Sequence, residues 1–190
     1  MSQNECLCFQ KKLAFHTAPC LLGIKCAGLM SVFDSKAGVD ENISDFNSKA
    51  AAKGLKIRVL CRCGGRSLVL VYNERQLKER LRDKKAAAVL SAFGYSADMT
   101  LEAALDRLSY RVSAHGDFPH EIGVFLGYPT EDVEGFIKNK GENFLLCGCW
   151  KVYNDVEGAK KSFQNYERCR EYLCNKLNEG LDIYQALKIS

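Results

Sequence analysis

Two short motifs of related form are the first candidates for chemistry in this sequence. Phe118-Pro-His-Glu121 and Tyr128-Pro-Thr-Glu131 each combine an aromatic residue, a proline and a glutamate. Proline suits the first position of a helix, so the motifs predict two short helices over 119–126 and 129–139. The free N–H groups and the positive dipole end of a helix start attract anions. A phosphate or carboxylate ligand is therefore expected to dock there.

His120 and Glu121 are the candidate catalytic residues of the first motif. A histidine can act as an acid, a base or a metal ligand near neutral pH, and an adjacent glutamate can orient it. In the alternative interpretation, Glu121 caps the helix start and His120 is a structural residue. The sequence leaves both roles open.

The candidate ligand-binding residues are the other members of the two motifs and the glycine between them. They are Phe118, Pro119, Gly127, Tyr128 and Pro129. Aromatic side chains offer a large rigid surface to a flat ligand, and they equally pack short helices onto a core. The glycine is expected at the C-terminal end of the first helix, where a left-handed conformation is common.

Cysteine pairs form a second candidate site, for zinc or an iron–sulfur cluster. Cys61/Cys63 and Cys147/Cys149 have one residue between their members, as does an N-terminal pair, and both lie in segments expected to be strands. Residues two apart on a strand face the same side, so four thiolates would meet if the two strands were neighbours. The spacing differs from the usual zinc knuckle, and cysteine is also a common small core residue.

The first third of the chain predicts one helix and a less regular segment. Apolar residues recur at helical spacing over 5–15, and Pro19 is expected to end that helix, which makes a shared helix face for His16 and Cys20 doubtful. The apolar but glycine-interrupted residues up to position 33 predict a short buried strand or a bent loop. The polar segment 34–54 predicts a loop with a short helix over 43–53, and it is the best candidate for a mobile lid.

The remaining elements follow from turn and cap signals. Strands over 56–62 and 66–73 flank Cys63-Gly-Gly65, which predicts a hairpin. Further predictions are helices over 74–82 and 84–93, a helix capped by Thr100 that ends near His115-Gly116, a strand over 142–153, a long helix capped by Asn154, and a last helix over 181–188. The expected fold is α+β in a single domain over 1–190, with a small mixed or antiparallel sheet formed by the hairpin 56–73 and the strand 142–153.

Composition narrows the class of protein. Hydrophobic residues make up 47% and charged residues 26% of the 190 residues, which is typical of globular proteins. No apolar run is long enough for a membrane span and no secretory signal precedes the first helix, so a cytoplasmic protein with reduced thiols is expected. The net charge of +4 comes from basic residues interspersed with acidic ones, so nucleic acid is not the expected partner. Walker, nucleophile-elbow and dinucleotide motifs are absent from the sequence.

Three segments resemble a bacterial family called domain of unknown function 3793. They are Ala18-Pro-Cys-Leu-Leu-Gly-Ile-Lys25, the block Phe118 to Ile137 with its Pro-His-Glu and Leu-Gly-Tyr-Pro motifs, and Gly148-Cys-Trp-Lys-Val-Tyr153. The resemblance extends over the length of the chain and implies an origin among anaerobic bacteria. It implies a location for the site and no reaction.

These observations lead to two functional expectations. The first is a cytoplasmic protein that binds a small anionic ligand or cofactor beside His120 to Pro129. The alternative is a metal-binding or redox accessory protein that uses the Cys-x-Cys pairs. Whether the protein is an enzyme stays open at this level.

Overall fold

The computed structural model describes residues 3–33, 36–114 and 118–189. Its elements in chain order are α1 (Gln3–Leu21), β1 (Ala27–Phe33), α2 (Lys36–Lys49), β2 (Leu55–Cys63), β3 (Arg66–Asn73), α3 (Glu74–Arg82), α4 (Lys84–Ser91), α5 (Leu101–Ser113), α6 (Ile122–Phe125), α7 (Thr130–Lys138), β4 (Leu146–Cys147), β5 (Lys151–Val152), α8 (Val156–Asn178) and α9 (Ile183–Ala186). A three-stranded antiparallel sheet and a separate two-stranded one confirm the predicted α+β class.

The hairpin of β2 and β3 confirms the strongest turn signal in the sequence, and β3 is the central strand of the main sheet. Its turn residues Gly64 and Gly65 have φ angles of 58° and 71°, a region that glycine enters without steric cost. Helix α3 follows β3 directly because the Asn73 side chain accepts a hydrogen bond from the backbone N–H of Gln76 at 3.0 Å. The sequence therefore determines this stretch locally.

The other strands differ from the prediction. The third strand of the main sheet is β1, which pairs with β3 from Ala27↔Tyr72 to Phe33↔Arg66, so the strand alternative for this segment is the correct one. The prediction of a single strand over 142–153 was wrong, because the chain turns back at Gly148. The N–H of this glycine donates to the Trp150 carbonyl at 3.1 Å. Strands β4 and β5 consequently form their own small sheet and do not join the hairpin 56–73.

Helix α1 continues through Pro19, contrary to the prediction that it ends before this residue. Proline removes the N–H that would bond the carbonyl of Phe15 four residues earlier. In the fold, Arg170 of α8 donates its Nε–H to that carbonyl at 3.1 Å. A partner from a distant part of the sequence therefore allows one more helical turn.

The segment 36–54 is mostly helix and not a loop with a short helix at 43–53. Helix α2 occupies Lys36–Lys49, and a short 3-10 turn, Ala51–Lys53, leads into β2. Val39 and Phe46 are buried at helical spacing, which holds one face of α2 against the core. Residues 34 and 35, the start of the predicted mobile segment, lie outside the described residues.

The N-terminal ends of α5 and α8 test two predicted cap residues. Thr100 caps α5 as predicted and accepts a hydrogen bond from the backbone N–H of Ala103 at 3.2 Å; the expected end of this helix at 115–116 lies outside the described residues. The long helix α8 is capped by Asp155 and not by Asn154, whose N–H is bonded to Asp132 at 3.1 Å.

The two faces of the main sheet carry separate cores. Val69 and Val71 of β3 pack on one face with α1, α2, α8 and α9, whereas Leu70 and Tyr72 pack on the other with α3 to α7. This division follows from the two-residue period of a strand. A third cluster of buried residues, around Trp150, joins the β4–β5 hairpin to α8. None of the helices in the described ranges is both long and apolar enough to cross a bilayer.

Candidate functional site

A cavity of about 290 Å³ lies between α6, α7 and the β4–β5 hairpin. Its wall is mainly apolar and aromatic. The residues that line it are Phe118, Pro119, His120, Ile122, Gly123, Tyr128, Asp132, Val133, Phe136, Cys147, Gly148, Trp150 and Lys151. Such a concave surface with a few polar groups is typical of small-molecule sites.

Asp132 connects helix α7 to the β4–β5 hairpin at the wall of this cavity. It is buried in the first turn of α7, and its Oδ2 accepts a hydrogen bond from Trp150 Nε1 at 2.7 Å. Its Oδ1 accepts from the backbone N–H groups of Tyr153 at 2.7 Å and Asn154 at 3.1 Å. These three donors satisfy the carboxylate, so Asp132 is a positioning residue and not a free acid in the cavity.

His120 is exposed at the cavity and its ring lies edge-on to Phe136, with 4.9 Å between ring centroids. None of the described residues forms a hydrogen bond with the ring nitrogens of His120. The histidine is thus available to a ligand. Among the described residues it has no orienting partner of the kind that a general base usually has.

Glu121 does not line the cavity, although it is the next residue in the chain. Its side chain is fully buried, with 0% exposure, and it forms an ion pair with Arg111 of α5. The Tyr95 hydroxyl donates to the same carboxylate at 3.4 Å. Glu121 makes no side-chain cap bond to α6, so the capping interpretation was wrong, and the structure does not bring it to His120 as an orienting group.

The aromatic and proline residues divide between the cavity and the packing around it. Phe118, Pro119 and Tyr128 line the cavity, whereas Gly127 and Pro129 do not. Gly127 has a φ angle of 71°, and a Cβ atom there would lie 2.9 Å from Cys26 Sγ, so this position needs glycine for backbone reasons. Pro129 is the N-cap residue of α7 and carries no side-chain cap bond.

Tyr128 is the residue at which three distant segments meet. Its ring stacks on Trp150 with 5.1 Å between centroids and 26° between planes. The ammonium of Lys25 lies 4.6 Å from the centroid of the same ring. All three segments that carry the family resemblance therefore contribute to one cluster, and sequence reasoning missed the part played by Lys25, Phe136 and Lys151.

The helix starts themselves are poor anion sites. Helix α6 is a single turn, and the first turn of α7 contains Glu131 and Asp132, which place negative charge where an anion would dock. Lys151 is the better group for an anion: its Nζ donates to the Gly141 carbonyl at 2.6 Å and lies 4.7 Å from the Phe144 ring centroid. An ammonium has three N–H donors, so others remain for a ligand.

The structure does not bring the four candidate metal-binding cysteines together. Cys61 and Cys63 lie on β2 of the main sheet, whereas Cys147 lies on β4 and Cys149 in the turn of the separate hairpin. In the described ranges, no three His, Cys, Asp or Glu side chains are grouped closely enough to hold a metal ion. The condition for a shared site, that the two strands be neighbours in one sheet, is therefore not met.

Thiol reactivity is expected to separate buried from exposed cysteines. Burial raises the pKa of the Cys20 thiol to about 12 and raises that of Cys26 as well, which leaves little reactive thiolate at neutral pH. Iodoacetamide at pH 7 should therefore alkylate the exposed Cys8, Cys63 and Cys147 first. Mass spectrometry of the alkylated peptides against time measures the order, and labelling of Cys20 as fast as Cys8 would contradict the buried position.

Comparison with known proteins identifies the class of the chain. The family model described as Protein of unknown function (DUF3793) matches residues 13–187. The chain belongs to this family, and the expectation drawn from its motifs is confirmed. No curated protein and no solved structure matches it at a significant level.

Proposed function

We propose that this protein binds a small molecule with a flat apolar body and an anionic group in the cavity between α6, α7 and the β4–β5 hairpin. The observation that carries the proposal is the composition of the wall, in which Tyr128, Phe136 and Trp150 provide aromatic surface beside Lys151 and His120. Rigid aromatic side chains favour a planar ligand because they bury much area at little entropic cost.

The charge of the ligand follows from the polar groups of the wall. Asp132, the wall's carboxylate, is fully engaged by three N–H donors. Lys151 adds a positive charge whose ammonium lies 4.7 Å from the ring centroid of Phe144 and 5.9 Å from that of Phe136. A carboxylate or phosphate group on the ligand would pair with this ammonium and accept a further bond from His120.

Binding is better supported than catalysis. An acid–base mechanism needs a second group that holds or orients the histidine. Glu121 does not serve this role, because it forms an ion pair with Arg111 of α5. We retain the cytoplasm as the proposed compartment, because the ten cysteines are all free.

Trp150 allows a direct test because it is the single tryptophan of the chain and lies in the cavity wall. Benzoate, a flat anion, is expected to change its fluorescence saturably. Benzamide has the same shape without the charge and should bind about tenfold more weakly, the equivalent of one charge-assisted hydrogen bond of about 1.4 kcal/mol. A response to neither compound would overturn the proposal.

Two variants and one control identify the side chains that bind benzoate. Lys151→Met keeps the apolar stem and should remove the preference for benzoate, whereas Lys138→Met, at an exposed lysine outside the cavity, should leave it unchanged. His120→Ala should weaken benzoate binding with an unchanged melting temperature, since the residue is exposed. Equal benzoate affinity in the wild type and Lys151→Met would remove the assigned role of Lys151.

A further inference from the structure

A second cavity, of about 270 Å³, lies between the C-terminal half of α3, helix α4 and the start of α5. It shares no lining residue with the cavity beside the β4–β5 hairpin. Its floor is formed by small and aliphatic side chains from the three helices, among them Leu81, Leu90, Leu101 and Ala104, and the last three of these are buried. Such a floor favours the hydrocarbon part of a ligand because burying it removes apolar surface from water.

The rim of this second cavity is positively charged. Among the described residues that line it, two are cations, Lys78 and Arg82, and none is a carboxylate. Arg82 is the last residue of α3 and is exposed, and its guanidinium makes no hydrogen bond or ion pair with any other residue in the described ranges. Lys78 donates to Glu74 Oε1 at 2.7 Å, and an ammonium has further N–H donors to offer. Both cations can therefore accept an anion at the rim.

The acidic side chains near the rim do not occupy these cations fully. Glu74 also pairs with Lys56, at 2.7 Å from its Oε2. Asp83 caps α4 and accepts from the backbone N–H groups of residues 85 and 86 at 3.1 and 3.0 Å. Glu79 is three residues before Arg82 on the same helix, and the structure shows no ion pair between these two described side chains. A ligand anion would consequently meet a net positive rim.

A hydroxyl group completes the polar part of the wall. Thr100 Oγ1 accepts a hydrogen bond from the backbone N–H of Ala103 at 3.2 Å, which leaves its O–H free to donate to a ligand. The Ser96 hydroxyl is engaged by Asp98 and is not counted among the ligand-binding groups. Cationic and hydroxyl donors thus lie at the rim, above an aliphatic floor.

We propose that this second cavity binds a short aliphatic carboxylate. The hydrocarbon chain lies on the floor, and the carboxylate faces Arg82, Lys78 and the hydroxyl of Thr100. A guanidinium matches a carboxylate with two parallel N–H···O bonds, which makes Arg82 the main anchor. The volume of about 270 Å³ is small for a ligand cavity, so a short chain fits it better than a long one.

Met99 provides a probe at the cavity itself. The chain has three methionines, of which Met99 lines this cavity, whereas Met30 is buried in the core on the other face of the main sheet. The full chain is labelled with ¹³C at the methionine methyl groups, and the Met99 signal is assigned by its loss in Met99→Leu. Sodium hexanoate should shift the Met99 signal saturably and leave the Met30 signal in place.

Two further compounds test the two halves of the proposed site. Hexanoate should bind roughly tenfold more tightly than butyrate, because each buried methylene group strengthens binding by up to about fourfold. It should also bind about tenfold more tightly than 1-hexanol, which keeps the chain and lacks the charge. Absence of a saturable Met99 shift with hexanoate overturns the proposal, as does an equal affinity for butyrate or for inorganic phosphate.

A matched pair of variants on α3 tests the anchor. Arg82→Met should weaken hexanoate binding about tenfold, whereas Arg75→Met, at an exposed position of the same helix outside the cavity, should leave it unchanged. Both variants should keep the melting temperature of the wild type because both side chains are exposed. Equal hexanoate affinity in the wild type and Arg82→Met overturns the assignment.

This proposal does not depend on the function proposed for the first cavity, and the two can fail separately. Benzoate binding is measured by the emission of Trp150, which lines only the first cavity, and hexanoate binding by the Met99 signal. Lys151→Met should leave hexanoate binding unchanged. Loss of hexanoate binding in Lys151→Met, with a change of Trp150 emission by hexanoate in the wild type, would place the ligand in the first cavity and overturn the proposal.

Discussion

Replacing Asp132 by alanine is expected to destabilise the protein by about 3–5 kcal/mol, because one buried and two partly buried N–H groups then lose a charged acceptor together. The donors are Trp150 Nε1 and the backbone N–H groups of Tyr153 and Asn154. The β4–β5 hairpin depends on this carboxylate for its attachment to α7. Urea denaturation at pH 7, followed by circular dichroism and by the emission of Trp150, measures the loss.

Asp132→Asn separates the two halves of this interaction. The amide oxygen can still accept from Tyr153 and Asn154, whereas the amide N–H₂ would face the indole N–H of Trp150, donor against donor. The loss should be smaller, about 2 kcal/mol, with the largest change in tryptophan emission. Glu134→Ala, at an exposed position of the same helix, is the control. A cost below about 1 kcal/mol for Asp132→Ala would show that the hairpin is held by other contacts.

The second large effect concerns the ion pair between Arg111 and Glu121. Glu121 has 0% side-chain exposure and Arg111 has 31%, so the two partners are not equivalent. Arg111→Met leaves a fully buried carboxylate without its cation and should cost about 3–5 kcal/mol. In Glu121→Gln the guanidinium of Arg111 still reaches water, and the glutamine amide keeps an acceptor oxygen. This substitution should therefore cost about 1–2 kcal/mol.

A double-mutant cycle checks this asymmetry. The combined variant Arg111→Met/Glu121→Gln removes both charges and should be more stable than Arg111→Met alone, because the uncompensated carboxylate is gone. Equilibrium unfolding in urea at pH 7 gives the four free energies of unfolding. If Glu121→Gln proves at least as destabilising as Arg111→Met, the position of Glu121 as the more buried partner is wrong.

Several elements could be predicted from the sequence because their signals act within a few residues. The Gly64-Gly65 turn, the Asn73 cap of α3 and the Thr100 cap of α5 depend on local φ angles and on bonds to residues three positions away. The paired Pro-containing motifs likewise identified the neighbourhood of the cavity. Family membership followed from the same short motifs.

Two predictions depended on partners far away in sequence. Pro19 does not end α1 because Arg170 supplies the missing donor to Phe15 from α8. The pairs Cys61/Cys63 and Cys147/Cys149 are separated because Gly148 turns the second segment into its own hairpin. Neither the donor that α8 supplies to Phe15 nor the division of the strands into two sheets follows from a local pattern.

His120 and Glu121 show most clearly what the sequence and the tertiary structure each determined. The sequence by itself determined the residue types, a short helix after each motif proline and the aromatic character of the neighbourhood, although α6 begins at Ile122 and not at Pro119. The tertiary structure alone decided that His120 faces the cavity, that Glu121 pairs with Arg111, and that Lys25 rests on Tyr128. The physical reason is that the protonation, pairing and exposure of a side chain depend on which distant segments exclude water from it, and a local sequence period carries no information about those segments.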